Sequence, residues 1–202
     1  MTPKLVLASV SPRRKELLRK LKIPFKVVPS LLAEPPPGSL DPVSYTRKLA
    51  LAKARLVAQR LKAGLIPGIK EGLILGADTV VVHRGIILGK PTDFADACRT
   101  LSRLQGTTHR VVTAVALVDA LSGREKLGHA LSTVTMRSLL PPEIAQYARR
   151  HVDKAGAYAV QEKKDPVVAK VRGSYTNVVG FPLEVVQDLL KRFSARSKRK
   201  RR

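Results

Sequence analysis

Apolar positions along the chain follow two periods, one typical of strands and one of helices. Short or continuous apolar runs predict strands at 4–8, 25–28, 73–82, 86–88, 108–119, 125–136 and 167–171. Helical spacing predicts helices at 12–21, 42–62, 92–104, 141–150 and 182–193. Loops are predicted at 29–42, 64–72 and 173–177. Both kinds of element therefore run along the whole chain, with no internal repeat.

Local capping signals set the predicted starts of several helices. Ser11 is a good N-cap and Pro12 a favourable first helical residue. Asp41 and Pro42 repeat this pair at the start of the longest helix, and Thr92 predicts the cap of the next one. These starts are predicted from short-range chemistry alone.

The segment 7–18 predicts a strand, a tight turn and a helix whose first turn carries Arg13 and Arg14. A helix start presents unpaired backbone N–H groups and a positive dipole end. With two guanidinium groups beside it, this end suits an anion with several oxygens, such as a phosphate chain. A surface helix with two solvated arginines is the alternative.

Asp78 lies inside an otherwise apolar strand pattern. An ionised carboxylate is costly to bury unless it is paired or binds a metal, so Asp78 is a candidate functional residue. The alternative is a carboxylate held by hydroxyl or backbone N–H groups. Lys90 follows Gly89 at a rigid corner and lies close to Asp78 if the two flanking strands form a hairpin.

Two further charged residues have both a functional and an ordinary interpretation. Glu34 stands just before three consecutive prolines, so its loop is stiff. There the carboxylate can face a metal or remain solvated. Lys53 on the longest helix can point at a bound anion or belong to a solvated face.

Composition limits the class of protein. A chain of 202 residues with 44% hydrophobic residues can build one substantial core or two small lobes. Cys98 is the only cysteine, which excludes an intramolecular disulfide and a cysteine metal cluster. No run approaches the roughly 18 apolar residues of a membrane span, and the N-terminal apolar run is too short for a signal peptide. We expect a soluble cytoplasmic protein.

The formal net charge is +23, which indicates anionic partners. Residues 194–202 form a basic tail that we expect to be disordered, and removing its six basic residues still leaves +17. Nucleotides, nucleic acid and acidic membranes all fit this charge. A nucleic-acid-binding protein is one alternative, although aromatic residues for base stacking make up only 4% of the chain. The tail itself can make weak, non-specific contacts with nucleic acid.

Several common enzyme signatures are absent. The sequence has no Walker A motif, no G-x-G-x-x-G fingerprint and no evident Ser-His-Asp order. Its four histidines are dispersed without metal-ligand spacing. A P-loop NTPase and a Rossmann dehydrogenase are therefore poor interpretations.

Five sequence blocks together resemble the Maf family of nucleoside triphosphate pyrophosphatases. They are LASVSPRRKELL at 7–18, GADTVV at 76–81, GKP at 89–91, KAGAYAVQ at 154–161 and GSYTNVVGFPL at 173–183. Each block alone is a weak signal, but all five occur in the family's order between residue 5 and about residue 193. The resemblance thus defines a domain over 1–193, followed by the basic tail.

The resemblance implies an α/β fold with a mixed elongated sheet, flanking helices and two lobes around a central cleft, similar to the inosine triphosphatase group. It implies a divalent cation, Mg²⁺ or Mn²⁺, and hydrolysis between the α and β phosphates to a nucleoside monophosphate and pyrophosphate. We expect such a hydrolase to have a house-cleaning role, in which it would guard the nucleotide pool. We also expect a homodimer.

Matching the family's motifs residue by residue assigns roles within this chain. Asp78 would be the catalytic proton acceptor, and Glu34 would join it around the metal. The residues that would contact the phosphates are Ser9, Arg13, Arg14, Lys53 and Lys90.

Three motif positions separate the family's subtypes. Here they are Arg13, Thr79 and Gln161, which match the pattern of the dTTP/UTP pyrophosphatases. A Gln amide offers both a donor and an acceptor, which suits the O4/N3 edge of uracil or thymine. A 7-methyl-GTP pyrophosphatase of the same family and a nucleotide binder without turnover are the alternatives.

Overall fold

The computed structural model describes residues 4–69, 71–152, 154–160 and 167–199, except for the side chains of 195–199. The strands are β1 (Leu5–Leu7), β2 (Phe25–Val27), β3 (Leu73–His83), β4 (Ile86–Leu88), β5 (Thr108–Asp119), β6 (Glu125–Met136) and β7 (Val168–Arg172). The helices are α1 (Pro12–Arg19), α2 (Pro42–Lys62), α3 (Phe94–Leu104), α4 (Pro141–His151), α5 (Tyr175–Val179) and α6 (Leu183–Arg199). A single 3₁₀ turn spans Ala155–Ala157 within these described ranges.

The strands form one mixed sheet in the order β2-β1-β3-β5-β6-β7. Strand β1 runs parallel to β2 and to the first part of β3, while β5, β6 and β7 follow in antiparallel pairs. Strand β4 pairs antiparallel with the last part of β3, so these two strands form the expected hairpin. This architecture confirms the predicted α/β fold with an elongated mixed sheet.

Helices cover both faces of the sheet and build two lobes. Helix α2 packs on one face through Ala50, Ala54 and Val57, against residues that include Ile74 of β3. Helices α1 and α6 pack on the other face, where Leu75 is fully buried. Helices α3 and α4 join the far end of the sheet in a separate apolar cluster that forms the second lobe. Apolar burial on both sheet faces explains the near-continuous apolar strand patterns.

Most predicted helix starts agree with the structure, and α3 is the exception. The Asp41 side chain accepts hydrogen bonds from the backbone N–H groups of Val43 and Ser44, as an N-cap should. The prediction that Thr92 caps α3 is wrong. Asp93 caps it, and its carboxylate accepts from Asp96 N at 2.7 Å.

Two predictions near the C-terminal end also need correction. The loop predicted at 173–177 gives way to α5, because Ser174 caps this short helix by accepting from Asn177 N. Helix α6 was expected to end near Phe193, but its backbone continues to Arg199 through most of the basic tail. In the described part of the chain, no helix combines the length and the apolar character that a membrane crossing requires.

Candidate active site

A cleft of about 590 Å³ lies between the two lobes. One wall comes from the β1–α1 turn and the loop after β2, and the other comes from β4 and the 3₁₀ turn. The central part of β3 forms its floor, where Asp78 and Thr79 are found. The cleft thus gathers residues from all five of the sequence blocks that carry the Maf resemblance.

The cleft floor is a gap in the sheet beside β3. Strand β1 pairs with β3 only from Leu73 to Leu75, and β4 pairs only from Val81 to His83. Residues 76–80 therefore have a strand partner on the β5 side alone. Successive side chains of a strand point to opposite faces, so Asp78 and Thr79 line the gap from the two sides of the sheet.

Gly76 brings helix α2 unusually close to β3. A Cβ atom at this position would lie 2.3 Å from Ala50 O and 2.9 Å from Ala54 N, so only glycine fits. The Asp78 side chain lies on the same face as Gly76, two residues further along the strand. This close approach places Lys53 of α2 directly over Asp78.

Lys53 joins two carboxylates at the bottom of the cleft. Its Nζ atom donates to Asp78 Oδ1 at 2.7 Å and to Glu34 Oε1 at 2.6 Å. Lys53 is 7% exposed and Asp78 is 4% exposed, while the Glu34 side chain is 42% exposed toward the cleft mouth. The other oxygen of Asp78, Oδ2, is buried and has no hydrogen-bond partner within the described structure.

Opposing effects act on the Glu34 carboxyl. Burial acts to raise its pKa, but the hydrogen bond and charge of Lys53 outweigh burial, with help from Lys90 and Arg14. The pKa of Glu34 is therefore lower than usual, and the residue is ionised at neutral pH. Its loop is fixed because the Tyr45 hydroxyl donates to Pro35 O at 2.8 Å.

The carboxylates of Glu34 and Asp78 suit a hard divalent cation. Across the described residues, no group of three or more His, Cys, Asp and Glu side chains could hold a metal. Within the described ranges the cleft therefore offers two carboxylates, and phosphate oxygens or water would complete the shell. Mg²⁺ is commonly held in this way, by one or two carboxylates together with substrate phosphates and water. The unpartnered Oδ2 of Asp78 fits this arrangement.

The guanidinium group of Arg14 is directed into the protein rather than toward open solvent. Nε donates to Gly180 O at 3.0 Å, and NH1 donates to Ala77 O at 2.9 Å and to Ser9 Oγ at 3.4 Å. NH2 donates to Thr79 Oγ1 at 3.2 Å. Four of its five N–H groups thus bind protein acceptors. Burial lowers the pKa of Arg14, although the charges of Asp78 and Glu34 oppose this shift.

A buried chain of hydroxyl and amide groups continues from Thr79 into the core. Thr113 is fully buried opposite Thr79, and its hydroxyl donates to Asn177 O at 3.1 Å. A hydroxyl has one proton, so with Thr113 donating to Asn177 O, Thr79 donates in its 3.0 Å bond to Thr113, and Gly180 O at 3.4 Å is a more distant acceptor for the same Thr79 proton. The Asn177 amide in turn donates to Val111 O and Ser132 Oγ. This network fixes the side of the cleft floor that Thr79 occupies.

The wall of the second lobe carries a buried His–Tyr pair. His109 Nε2 and the Tyr158 hydroxyl share a hydrogen bond of 2.7 Å, and both residues are buried. Burial lowers the pKa of His109 to about 4, with a smaller effect from His83. Burial also raises the pKa of Tyr158. Both groups are therefore neutral at physiological pH, and Tyr158 lines the cleft.

The chain is similar to known proteins over nearly its whole length. The family model described as Maf-like protein matches residues 4–193, nearly the entire chain. The chain belongs to the Maf family. A relative from Moorella thermoacetica, named dTTP/UTP pyrophosphatase, is 47% identical over 189 residues, which cover 93% of each chain. Another with the same name, from Pelotomaculum thermopropionicum, is 42% identical over 94% of this chain and 96% of its own length.

A solved structure is also similar to this Maf chain. It is a nucleoside-triphosphatase, also named dITP/XTP pyrophosphatase, from Mycobacterium abscessus. The TM-score is 0.41 and the identity 18%, over 66% of this chain and 74% of the other.

The structure brings together all but one of the site residues predicted from the Maf resemblance. The residues that line the cleft are Ser9, Arg13, Arg14, Glu34, Lys53, Asp78, Thr79 and Lys90. Lys90 is exposed at the rim, and Arg13 is half-buried on the first turn of α1. Gln161 and the residues up to 166 lie outside the described part of the chain.

Sequence reasoning missed Thr113, Asn177 and the pair of His109 with Tyr158. Thr113 is a hydroxyl residue inside an apolar strand run, which is the same kind of signal that identified Asp78. His109 lies near the start of the same run. No local signal indicated that Asn177 would be fully buried, because its burial depends on the packing of α5 against β5 and β6.

Proposed function

We propose that this Maf-family protein hydrolyses dTTP and UTP to the nucleoside monophosphate and pyrophosphate. One observation carries the proposal. A buried carboxylate with an unpartnered oxygen, Asp78, lies at the floor of a cleft whose walls hold several cations. Such a site suits a polyanionic substrate that must be brought next to a base.

The triphosphate would lie between the first turn of α1 and the corner at Lys90. Arg13 and the start of α1 supply donors on one wall, and Lys90 supplies a positive charge on the other. Arg14 also lines the cleft, and four of its donors bind protein atoms in the nucleotide-free protein. We assign it to positioning Ser9, Thr79 and Gly180 around the phosphates.

Glu34 and Asp78 would hold the divalent cation, Mg²⁺ or Mn²⁺, together with phosphate oxygens. When bound, this cation supplies positive charge to the phosphates and lowers the pKa of a bound water. Asp78 is placed to accept a proton from the attacking water. In the nucleotide-free protein Lys53 donates to its Oδ1 atom, and its Oδ2 atom has no partner among the described residues. Water attacks the α phosphorus, the bond from that phosphorus to the bridging oxygen breaks, and pyrophosphate leaves.

The choice of pyrimidine rests on the subtype positions and on the relatives' names. Arg13 and Thr79 line the cleft with the residue types of the dTTP/UTP pattern, and Gln161 has the matching type. The relatives from Moorella thermoacetica and Pelotomaculum thermopropionicum carry the name dTTP/UTP pyrophosphatase. The proposal extends to a homodimer in the cytoplasm that removes unwanted nucleotides.

A pyrophosphate-release screen tests this function. The purified chain is incubated with dTTP, UTP, 7-methyl-GTP and the other common triphosphates, with Mg²⁺ or Mn²⁺ or with EDTA. We expect metal-dependent pyrophosphate from dTTP and UTP in preference to the rest. Preference for 7-methyl-GTP would instead assign the chain to the 7-methyl-GTP pyrophosphatases of the same family. Nucleotide binding without product would leave only a regulatory binder.

The basic charge supports a secondary role in weak nucleic-acid contact. Helix α6 carries the basic tail as a continuous helical segment to Arg199, beyond the predicted catalytic domain. A truncation after Phe193 should lose salt-sensitive binding to a random single strand, while dTTP hydrolysis is retained. Equal binding by the truncated chain would remove this role from the tail.

A further inference from the structure

Lys53 occupies the position where a cation between Glu34 and Asp78 is expected. Its ammonium lies 2.6 Å from one carboxylate and 2.7 Å from the other. We propose that Lys53 is an internal cation that blocks this site for metal ions until a triphosphate draws its ammonium away. Metal and nucleotide would then bind cooperatively. This inference rests on the proposed function and concerns the regulation of the same site.

Charge balance supports the exchange. Two carboxylates and one ammonium give the bare site a net charge of −1, and the ammonium repels a divalent ion. A bound triphosphate adds several negative charges beside the same ammonium. Lys53 can then pair with phosphate oxygens, which releases the carboxylates for the metal.

Of the three charged groups, the Lys53 side chain has the most freedom to move. Asp78 belongs to a buried strand, and Glu34 to a loop that is stiffened by prolines and fixed through Tyr45. The Lys53 backbone is also fixed, because α2 is packed against β3 at Gly76. Its four-carbon side chain is the part that can swing between carboxylate and phosphate.

The buried Oδ2 atom of Asp78 also supports an exchange of Lys53 for a metal ion. Lys53 satisfies Oδ1, whereas Oδ2 has no partner among the described residues. A buried carboxylate oxygen without a partner is costly. If Lys53 stayed paired with Asp78 at all times, this unfavourable free energy would persist in every state of the protein. If a metal ion replaced Lys53 when substrate binds, the carboxylate of Asp78 would gain the missing partner.

The direct test measures Mn²⁺ binding to the nucleotide-free protein by calorimetry and electron paramagnetic resonance. We expect Lys53→Met to bind Mn²⁺ at least about tenfold more tightly than the wild type, because the repelling charge is gone. Lys62→Met is the matched control, since it removes an exposed lysine from the last turn of the same helix. The control should bind Mn²⁺ like the wild type.

A double variant tests whether the tighter Mn²⁺ binding of Lys53→Met occurs at Glu34 and Asp78. Glu34→Gln added to Lys53→Met should abolish the tighter Mn²⁺ binding, because one of the two ligands is lost. Unchanged or weaker Mn²⁺ binding by Lys53→Met would overturn the proposal. A gain that survives in the double variant would also overturn it, since the ion would then bind elsewhere.

The cooperativity has its own readout. Mn²⁺ affinity is measured with and without α,β-methylene-dTTP, which cannot be cleaved at the proposed bond. The wild type should show a larger nucleotide-induced gain than Lys53→Met, because the variant no longer needs the exchange. An equal gain in both proteins would contradict the proposal. Failure of the analogue to bind either protein would refute the proposed function instead, and the nucleotide-free Mn²⁺ comparison would still decide the role of Lys53.

A measurement on the wild-type chain covers the case that Lys53→Met does not fold. The Nζ signal of Lys53 is followed by NMR in protein with ¹⁵N-labelled lysine and is assigned through Lys53→Arg. Mg²⁺ and α,β-methylene-dTTP together should shift this signal strongly, and low millimolar Mg²⁺ alone should leave it unchanged. A signal that is unmoved by both ligands together would show that the ammonium stays in place.

Discussion

Asp78→Asn separates the chemical role of Asp78 from its structural role. The substitution keeps the shape of the side chain but removes its charge and basicity. Lys53 can still donate to the amide oxygen, and Glu34 remains as its charged partner. The new NH₂ group takes the place of the unpartnered oxygen, where the described residues offer no acceptor. The loss of charge pairing and the buried amide should together lower the free energy of unfolding by about 2–3 kcal/mol.

A chain of this size should remain folded after such a loss. One kcal/mol corresponds to about 2–4 °C in Tm for domains of this length, so we expect Tm to fall by roughly 4–12 °C. Turnover should fall far more, by about 10²–10⁴-fold, because an amide cannot accept the proton from water.

The assay compares pyrophosphate release from dTTP with Tm from thermal melting, both at the same metal concentration. Asp188→Asn is the control, since Asp188 is a half-exposed aspartate on α6 whose ion pair with Arg192 lies on the surface. It should change neither quantity much. A folded Asp78→Asn protein with near-normal turnover would refute the assignment of Asp78 as the base.

Substitutions at three further positions test the surroundings of the cleft. Arg14→Lys should lower the free energy of unfolding, measured by urea titration, by about 2–4 kcal/mol, because one ammonium cannot replace the guanidinium bonds to Gly180 O and its other acceptors. An unchanged free energy of unfolding would contradict the positioning role of Arg14. Thr113→Val should lower the same free energy by about 1–3 kcal/mol, because valine lacks the hydroxyl that bonds to Thr79 and Asn177 O. Thr113→Ser keeps a hydroxyl and should retain most of this free energy. His109 has a folded-state pKa of about 4, below its usual value, so the unfolded chain takes up the proton first as pH falls. Its contribution should lower stability by about 3 kcal/mol between pH 7 and pH 4, and His109→Gln should flatten that pH dependence in urea titrations.

Elements with strong local signals could be predicted from the sequence. The apolar run of β3 and the capped start of α2 appear in the structure close to their predicted bounds. Predictions failed where two polar residues compete as caps, as Thr92 and Asp93 do at α3. They also failed where five residues form a helix only in a packed context, as in α5.

The residues of the candidate site could be proposed from the sequence, but the ion pairs and hydrogen bonds that they form could not. The cost of burying a charge pointed to Asp78, and the Maf resemblance supplied its companions. The double ion pair of Lys53 depends on the close approach of α2 and β3 at Gly76, a contact between segments far apart in the chain. The use of Arg14 depends on carbonyls of Ala77 and Gly180, which no side-chain pattern reveals.

The position of bond cleavage shows whether water attacks the α phosphorus. The reaction of dTTP is run in H₂¹⁸O with Mg²⁺, and the products are analysed by mass spectrometry. Attack at the α phosphorus beside Asp78 predicts one ¹⁸O atom in dTMP and none in pyrophosphate. Label in pyrophosphate, or release of inorganic phosphate with dTDP, would show that water attacks a different phosphorus and would refute the proposed reaction.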